Sequence, residues 1–528
     1  MRKVVCAVTL VRLVRVMRRV GLLSPESLIR LSAAICRSGV NLLALLDFAA
    51  GMYGDRTALV DEMGAISYRE LYGRSRRLAY SLQQKYSLGP GRNVAVLGRN
   101  SSRLVRTIVA ASASGADVCF LNPELSGEQL RDMLIHLQPD LIMYDEEFRA
   151  KVVQAEDNRW AMCGIHEIDQ LLPPGSKGRF RPSSSGKLVL MTAGTTGKPK
   201  QAAHRPSLTG YLSPFVDFVT RLKVMEVQSA YIATPVYHGY GLAVTILCLA
   251  LGKTVAMQRG FDAARACKLV REHRIGLMTV VPTMLHKMLK AGADDLQPLR
   301  CIACGGAELS PQLAEATLRR LGNVLYNLYG TSEAGLNFIA TPEDLRHNPR
   351  TVGKPLKGVR VRILNDRDQP AAIGEIGRIL VCNEWSAVNR AAPWIDTGDL
   401  GYVDQDGYYY LRGRADSMIV SGGENVYPLE VEQVVLSHPQ VEDAAAVAVP
   451  DEEYGQRLKL YVAPVSRHDD DAGLTEEELR GWLRERLARY QMPREIELVG
   501  ELPYTSLGKL DRKRLQALAV EQDDGKRS

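Results

Sequence analysis

Apolar and polar positions change period several times along the chain. From Asn93 onward, short apolar runs alternate with longer stretches of helical period. "NVAVLG" reads as a strand, "SRLVRTIVAASASGA" as a helix, "VCFLN" as a strand, "SGEQLRDMLIHLQ" as a helix and "LIMYD" as a strand. A second series follows Ser229, where "YIATPV", "TVAMQ", "GLMTVVP" and "LRCIACGG" read as strands between helical stretches. Strands alternating with helices predict βαβ units and parallel sheets. The character changes over residues 358–413. "VRVRILN", "GRILVC" and "GYYYLRG" are short strands broken by Gly and Asp turns, which predicts a small β region. After Asp416 the pattern is that of a compact α+β unit, with "LKLYVAPV" and "EIELVG" as strands. Between them Thr475-x-x-Glu478 forms a capping box, opening a helix with Leu479, Trp482, Leu483 and Leu487 on one face. The predicted class is α/β. A large N-terminal domain of βαβ sheets plus a small β region is followed by a small, mobile α+β C-terminal domain. The boundaries are drawn at 1–49 for an N-terminal extension, 50–413 for the large domain and 414–528 for the small one.

Bulk properties narrow the class. At 528 residues the chain exceeds one ordinary core. Its 46% hydrophobic and 24% charged content suits a globular protein. No apolar run reaches the ~18 residues of a membrane span. The nine cysteines are scattered, which suits a reducing, cytoplasmic setting. Cys301 and Cys304 form a C-x-x-C that lacks a second ligand pair suited to zinc. The net charge is +7, yet residues 1–20 hold six basic and no acidic side chains. The remainder is nearly neutral, so a general nucleic-acid face is not expected. From Leu10 to Val20 the basic segment has helical period, with Leu10, Leu13, Val14, Met17 and Val20 on one side. It reads either as a helix lying on the inner face of an anionic membrane or as one packed on the protein body.

The stretch "LVLMTAGTTGKPKQAAH" (188–204) carries the first candidate chemistry. Gly194 and Gly197 allow backbone N–H groups to turn inward. Thr192, Thr195 and Thr196 add hydroxyls, and Lys198 and Lys200 add charge. The set suits a polyphosphate. It is not the usual P-loop: its glycines are three apart, and Pro199 stands where a magnesium-binding hydroxyl belongs.

"YNLYGTSEAG" (326–335), "DTGDLGY" (396–402), "LRGRADSMIVSGGENVYPLEVE" (411–432) and "LPYTSLGKLDRKRL" (502–515) follow in that order. With them the chain resembles the acyl-adenylate-forming superfamily, whose members activate carboxylic acids with ATP, over roughly residues 50–515. The resemblance implies two half-reactions. A carboxylate attacks the α-phosphorus of ATP to give acyl-AMP and pyrophosphate, and a thiol then displaces AMP.

The resemblance also implies roles. The loop Thr192–Lys200 would hold the β- and γ-phosphates. Glu333 would hold Mg²⁺, a hard ion suited to carboxylate oxygen. Gly305, Gly306 and Ala307 would let backbone approach adenine, and Tyr329 would offer it a flat face. Asn327, Gly330, Thr331 and Ser332 complete the nucleotide-binding stretch. Asp399 would accept from both ribose hydroxyls, and Arg414 would reach ribose and phosphate. Lys509 would contact the carboxylate and α-phosphate oxygens, and His238 would lie near the substrate carboxylate. Asp416 matches a hinge about which the small domain turns, withdrawing Lys509 and bringing Ser421, Gly422 and Gly423 to the mouth for coenzyme A. Against the family pattern, Ala193 replaces a serine, Gln201 the last glycine of the loop, and Ser417 a frequent acid after the hinge.

Tyr237, Gly241 and Leu242 would shape the acyl pocket. Between Ala233 and Thr254 there is no acid to pair an α-ammonium, so an amino-acid substrate is not expected. The basic N-terminal helix favours a fatty acid, because such a substrate partitions into membranes, and "GLLSPESLIRLSAAICRSG" ahead of "YGDRTALVDEMGAISYREL" resembles bacterial fatty-acid–CoA ligases, which makes a medium- or long-chain fatty acid the first expectation. An aryl or short branched acid stays open. Free coenzyme A is the simplest acceptor. The alternatives are an acyl-AMP ligase that loads a separate carrier protein, or a non-catalytic nucleotide-binding scaffold. The sequence sets no oligomeric state.

Overall fold

The computed structural model describes residues 24–527 apart from 156–159, 172–179, 185, 193–199, 205–211, 387–392, 422–423, 452–454, 466–472 and 506–507; at some bordering positions only the backbone is described. The expected helix from Leu10 to Val20 lies outside the described residues.

A thirteen-stranded sheet forms the spine of the large domain. At its centre Leu325–Thr331, Cys301–Gly305, Leu277–Val280, Ser229–Ile232, Thr254–Met257 and Thr57–Asp61 lie side by side and parallel. Ser229–Ile232, Leu277–Val280 and Cys301–Gly305 are buried along their whole length, because helices cover both faces. Beyond Leu325–Thr331 the sheet turns antiparallel through Gly335–Ala340, Thr351–Pro355, Tyr409–Arg414, Ile395–Val403, Gly377–Cys382 and Arg360–Leu364. The small β region read from 358–413 is therefore the antiparallel flank of the same sheet. Its outer strand Arg360–Leu364 alternates exposed arginines with better-buried neighbours, as a one-sided sheet requires.

A second sheet of six strands runs Ala161–Gly164, Leu141–Tyr144, Asn93–Leu97, Asp117–Phe120, Leu188–Thr192 and Lys200–His204. Only its last pair is antiparallel. Helix Ser102–Ser114 is buried nearly all round and packs between this sheet and its surroundings. The boundary drawn at residue 50 cuts through helix Leu42–Tyr53, which sinks Leu43, Leu46 and Ala49 into the main core. A helix apolar on every side is a core helix, so this part of the extension belongs to the large domain.

Past Arg414 the chain forms a smaller unit. Val441–Asp451 pairs with Gly455–Pro464, which is flanked by Ile419–Ser421 and Glu495–Leu498. Thr475 and Glu478 make the expected reciprocal cap of helix Glu476–Arg484, with Leu479 and Leu483 buried. Arg512 grips the buried Glu432 through two 2.7 Å bonds, which fixes the start of the C-terminal helix Arg512–Arg527 against the unit. Cys301 and Cys304, three apart on one strand, fall in the cores on opposite faces of the central sheet, so the two thiols do not face one another.

Candidate active site

Parallel strands point their carboxyl ends the same way, and the loops that follow them make a cleft. Ser229–Ile232 leads to His238, Leu277–Val280 to Val281 and Thr283, Cys301–Gly305 to Gly306, and Leu325–Thr331 to Glu333. Residues 332–334 form the tip of the hairpin between Leu325–Thr331 and Gly335–Ala340, tied by the Ala334 N–H donating to Thr331 Oγ1 at 3.1 Å. That places the Glu333 carboxylate at a strand end.

Asp399 arrives from the antiparallel flank. Its carboxylate accepts from the Tyr329 hydroxyl at 2.5 Å and from the Arg414 guanidinium at 3.3 Å. Burial pushes the Asp399 pKa up, against the pull of Tyr329 and Arg414. Arg414 also donates to the Thr397 carbonyl at 2.9 Å and to Asp416 at 3.2 Å. Gly398 makes this possible. Its φ is +73°, and a Cβ there would lie 2.8 Å from the guanidinium nitrogens.

Lys509 comes from the small domain on a tight loop. The Thr505 N–H donates to the Lys509 carbonyl at 2.7 Å, and the Gly508 N–H to the Thr505 carbonyl at 2.8 Å. The amine keeps solvent access through the open cleft while protein surrounds it on most sides. That burial lowers its pKa below the ordinary lysine value; Asp399 and Glu333 oppose the shift, and Arg414 adds to it. His238 lies within the same field. Burial first, and the Lys509 charge second, push its pKa down to about 4, so the imidazole is neutral at neutral pH. Its Nε2 is buried and makes no hydrogen bond, although His238 caps helix Gly239–Ala250, whose N-terminal end favours an anion.

The structure therefore brings Lys509, Glu333, Asp399, Arg414 and His238 to one cleft. Other expected residues support that cleft from below. Tyr329 is 9% exposed and packs on Phe338 at 5.5 Å, so most of its ring serves the core. Asn327 is buried and donates to the Thr351 carbonyl at 3.2 Å. A Cβ at Gly330 would lie 2.3 Å from the Gly335 carbonyl, and one at Gly305 2.8 Å from that of Leu328. Gly306, at φ +82°, is exposed, and Ala307 beside it is half-buried. Tyr237 is buried against the His238 ring at 4.7 Å. Gly241 answers a packing need, since a Cβ would lie 2.3 Å from the Pro235 carbonyl. Leu242 points away to an apolar gap shared with Leu45, Leu46, Val105 and Ile108. Ser421 is 1% exposed within the small domain's sheet. Asp416 sits on the single turn Ala415–Ser417, between strand Tyr409–Arg414 of the large domain and strand Ile419–Ser421 of the small one. Gly194, Thr195, Thr196, Gly197 and Lys198, and Gly422 and Gly423, lie outside the described residues; of Thr192 and Lys200 only the backbone is described.

Tyr240, within the stretch Tyr237–Gly241 expected to shape the pocket, donates its hydroxyl to the Ala303 carbonyl at 2.6 Å and ties helix Gly239–Ala250 to the central sheet. Two contributors went unread in the sequence. Gly398 is one, although "TGD" held the signal of a glycine before an acid. Thr283 donates to the Gly508 carbonyl at 3.2 Å, a contact 225 residues apart that no local pattern announces.

Residues 46–387 match the AMP-binding enzyme family and residues 430–509 its C-terminal domain. The chain is 30% identical to the 2-succinylbenzoate–CoA ligase of Bacillus velezensis, covering 88% of this chain and 95% of that one. It is 30% identical to the feruloyl-CoA synthase of an Amycolatopsis species, covering 84% and 92%. The o-succinylbenzoate coenzyme A synthetase of Bacillus subtilis, solved with ATP and a magnesium ion, superposes with a TM-score of 0.78 at 26% identity, covering 89% of this chain and 99% of that one.

Proposed function

From the premise that the chain belongs to the AMP-binding enzyme family, we propose that Lys509 drives the first of two half-reactions and that the acid is of aryl type. The enzyme is an AMP-forming acid–thiol ligase. It uses ATP and Mg²⁺ to turn a carboxylic acid into acyl-AMP, and coenzyme A to turn that into a thioester.

One observation carries the residue assignment: a lysine from the small domain and two carboxylates, a guanidinium and a neutral histidine from the large domain meet in one cleft. The first half-reaction brings two anions together, so the site must supply positive charge and fixed geometry. Lys509 supplies the charge where the carboxylate oxygen meets the α-phosphate. The neutral His238 and the helix start behind it orient the carboxylate without a second full charge. Asp399, held by Tyr329 and Arg414, is aimed to accept from ribose hydroxyls. The Glu333 carboxylate is a hard oxygen donor that fits Mg²⁺, which when bound offsets phosphate charge. Turning at Asp416 then withdraws Lys509 and opens the site to the thiol.

The acid is revised from the first expectation. The relatives above are ligases for 2-succinylbenzoate and ferulate, both aromatic acids, and not for fatty acids. The Tyr237 ring packs on the His238 ring at 4.7 Å, an aromatic neighbour that suits a ring-bearing acid. A fatty acid is the second reading; the apolar gap at Leu242 between helices Leu42–Tyr53, Ser102–Ser114 and Gly239–Ala250, about 20 Å³, would have to widen to take an alkyl chain. Among the described residues no helix is long and apolar enough to cross a membrane. Leu28 and Ile29, 47% and 69% exposed on helix Pro25–Ser38, support peripheral membrane contact next to the basic terminus; deleting residues 1–20 is expected to weaken flotation with anionic vesicles.

The test is incubation with ATP, Mg²⁺, coenzyme A and a panel of benzoic, cinnamic, indole-acetic and fatty acids, following pyrophosphate and thioester mass. Thioester from the aromatic acids at the highest kcat/KM supports the reading. Preference for aliphatic acids supports the second reading, and acyl-AMP without thioester points to a separate carrier protein as acceptor.

A further inference from the structure

Helix Pro282–Gly292 begins where strand Leu277–Val280 enters the cleft. Thr283, His286 and Lys290 follow at i, i+3 and i+7, so they share one face. All three reach the small domain. Thr283 Oγ1 donates to the Gly508 carbonyl at 3.2 Å. His286 Nε2 lies 3.5 Å from Glu442 Oε1, and the Lys290 amine bonds the same oxygen. Gly508 fits because it is glycine. Its φ is +66°, and a Cβ would lie 2.4 Å from Val281 Cγ2 and 2.5 Å from Thr283 Oγ1.

The far side of the contact is also built for the purpose. Strand Val441–Asp451 shifts register between Val441 and Asp443, and such a bulge re-aims side chains. Two consecutive carboxylates serve different partners there. Glu442 takes the helix, while Asp443 accepts from the Tyr504 hydroxyl at 2.6 Å, and Tyr504 pairs with Leu510 across the base of the Lys509 loop. A parallel link joins Gln433 to Glu308 at 2.6 Å. The helix face, the bulged strand and the lysine loop thus form one continuous bonded path.

We propose that the Thr283–His286–Lys290 face is a docking ledge that sets the height of Lys509 in the cleft, with Thr283 and Glu442 as positioning residues for acyl-AMP formation. The proposal rests on the reading of Lys509 given above. Neither residue touches substrate; each acts through the loop. Because the ledge exists only while the small domain sits in this pose, its loss slows the half-reaction that uses Lys509 and leaves the other alone. The Lys290–Glu442 pair is half-exposed, at 54% and 32%, so salt screens it and its share is the smaller.

The full-length enzyme tests this with the preferred acid of the panel. Acyl-AMP formation is read from pyrophosphate, and thioester formation from supplied acyl-AMP plus coenzyme A. Thr283→Val is expected to slow the first roughly 3- to 10-fold, the range of one net hydrogen bond, and Glu442→Gln by a smaller factor of roughly 2- to 5-fold, with the second near wild type in both. Thr283→Ser, which keeps the hydroxyl, is expected to restore the first, and high salt to erase the Glu442→Gln difference. Parallel loss in both half-reactions, or no loss in the first, overturns the ledge. Lys509→Ala run alongside separates the two ideas. If it abolishes acyl-AMP formation while Thr283→Val and Glu442→Gln do nothing, only the ledge falls; if it leaves that step intact, the reading of Lys509 falls with it.

Discussion

Asp399→Asn separates catalysis from stability. The carboxylate sits in the cleft wall with its side chain 16% exposed, accepting from Tyr329 at 2.5 Å and Arg414 at 3.3 Å. Its pKa is raised, chiefly by burial. Because the folded state holds the proton more tightly than the unfolded chain, stability falls as pH rises through the window from the unfolded value up to the folded one. Above that window the penalty is fully present. Asparagine has the same shape and no charge, so the variant is expected to melt at or above the wild-type temperature near pH 7. Nucleotide use moves the other way. Two ribose hydroxyls that donate to an anion would instead donate to an amide oxygen. At about 1 kcal/mol lost for each bond, the total of ~2 kcal/mol raises the KM for ATP about 30-fold. The assay is pyrophosphate release against ATP concentration, beside a thermal melt at pH 7. An unchanged KM for ATP refutes the ribose assignment, and a markedly lower melting temperature refutes the burial argument.

The remaining predictions are read from other contacts. Glu432→Gln weakens a pair in which the acid is buried and the arginine partly exposed, so chemical unfolding of the small domain is expected to lose about 2 kcal/mol; no loss denies the pair its structural role. Gly241→Ala forces a Cβ to 2.3 Å from a carbonyl and must shift helix Gly239–Ala250, so kcat/KM for the acid is expected to fall at least tenfold, and retained activity contradicts that crowding. The pH profile of acyl-AMP formation in kcat/KM should show an alkaline limb below the ordinary lysine value, because Lys509 must be protonated and its pKa is lowered; a limb that Lys509→Arg fails to move upward argues for another group.

The sheets were legible because buried parallel strands are short apolar runs and the helices between them keep their period; each of "NVAVLG", "LIMYD" and "LRCIACGG" holds a strand. The flank over 358–413 was read as strands, but not as part of the central sheet, since pairing between Thr351–Pro355 and Tyr409–Arg414 spans a distance that periodicity does not report. Helix Leu42–Tyr53 was assigned to the extension although "LLALLDFAA" is apolar all round, a composition that demands cover on every side. The proposed catalytic groups could be named from their ordered motifs. Their partners were not. Tyr329 meets Asp399 across 70 positions, and Lys290 meets Glu442 across 152, so these side chains look like ordinary core and surface residues until the chain is folded.

The central claim is that the Lys509 amine neutralises charge as the mixed anhydride forms and has no part in the step that follows. Lys509→Met, assayed as two separate half-reactions in one preparation, tests it most directly. The account predicts that pyrophosphate release falls at least ~10²-fold, as when a charge-stabilising donor is removed, while thioester formation from supplied acyl-AMP proceeds at the wild-type rate. Equal loss in both half-reactions, or full acyl-AMP formation by the variant, contradicts it.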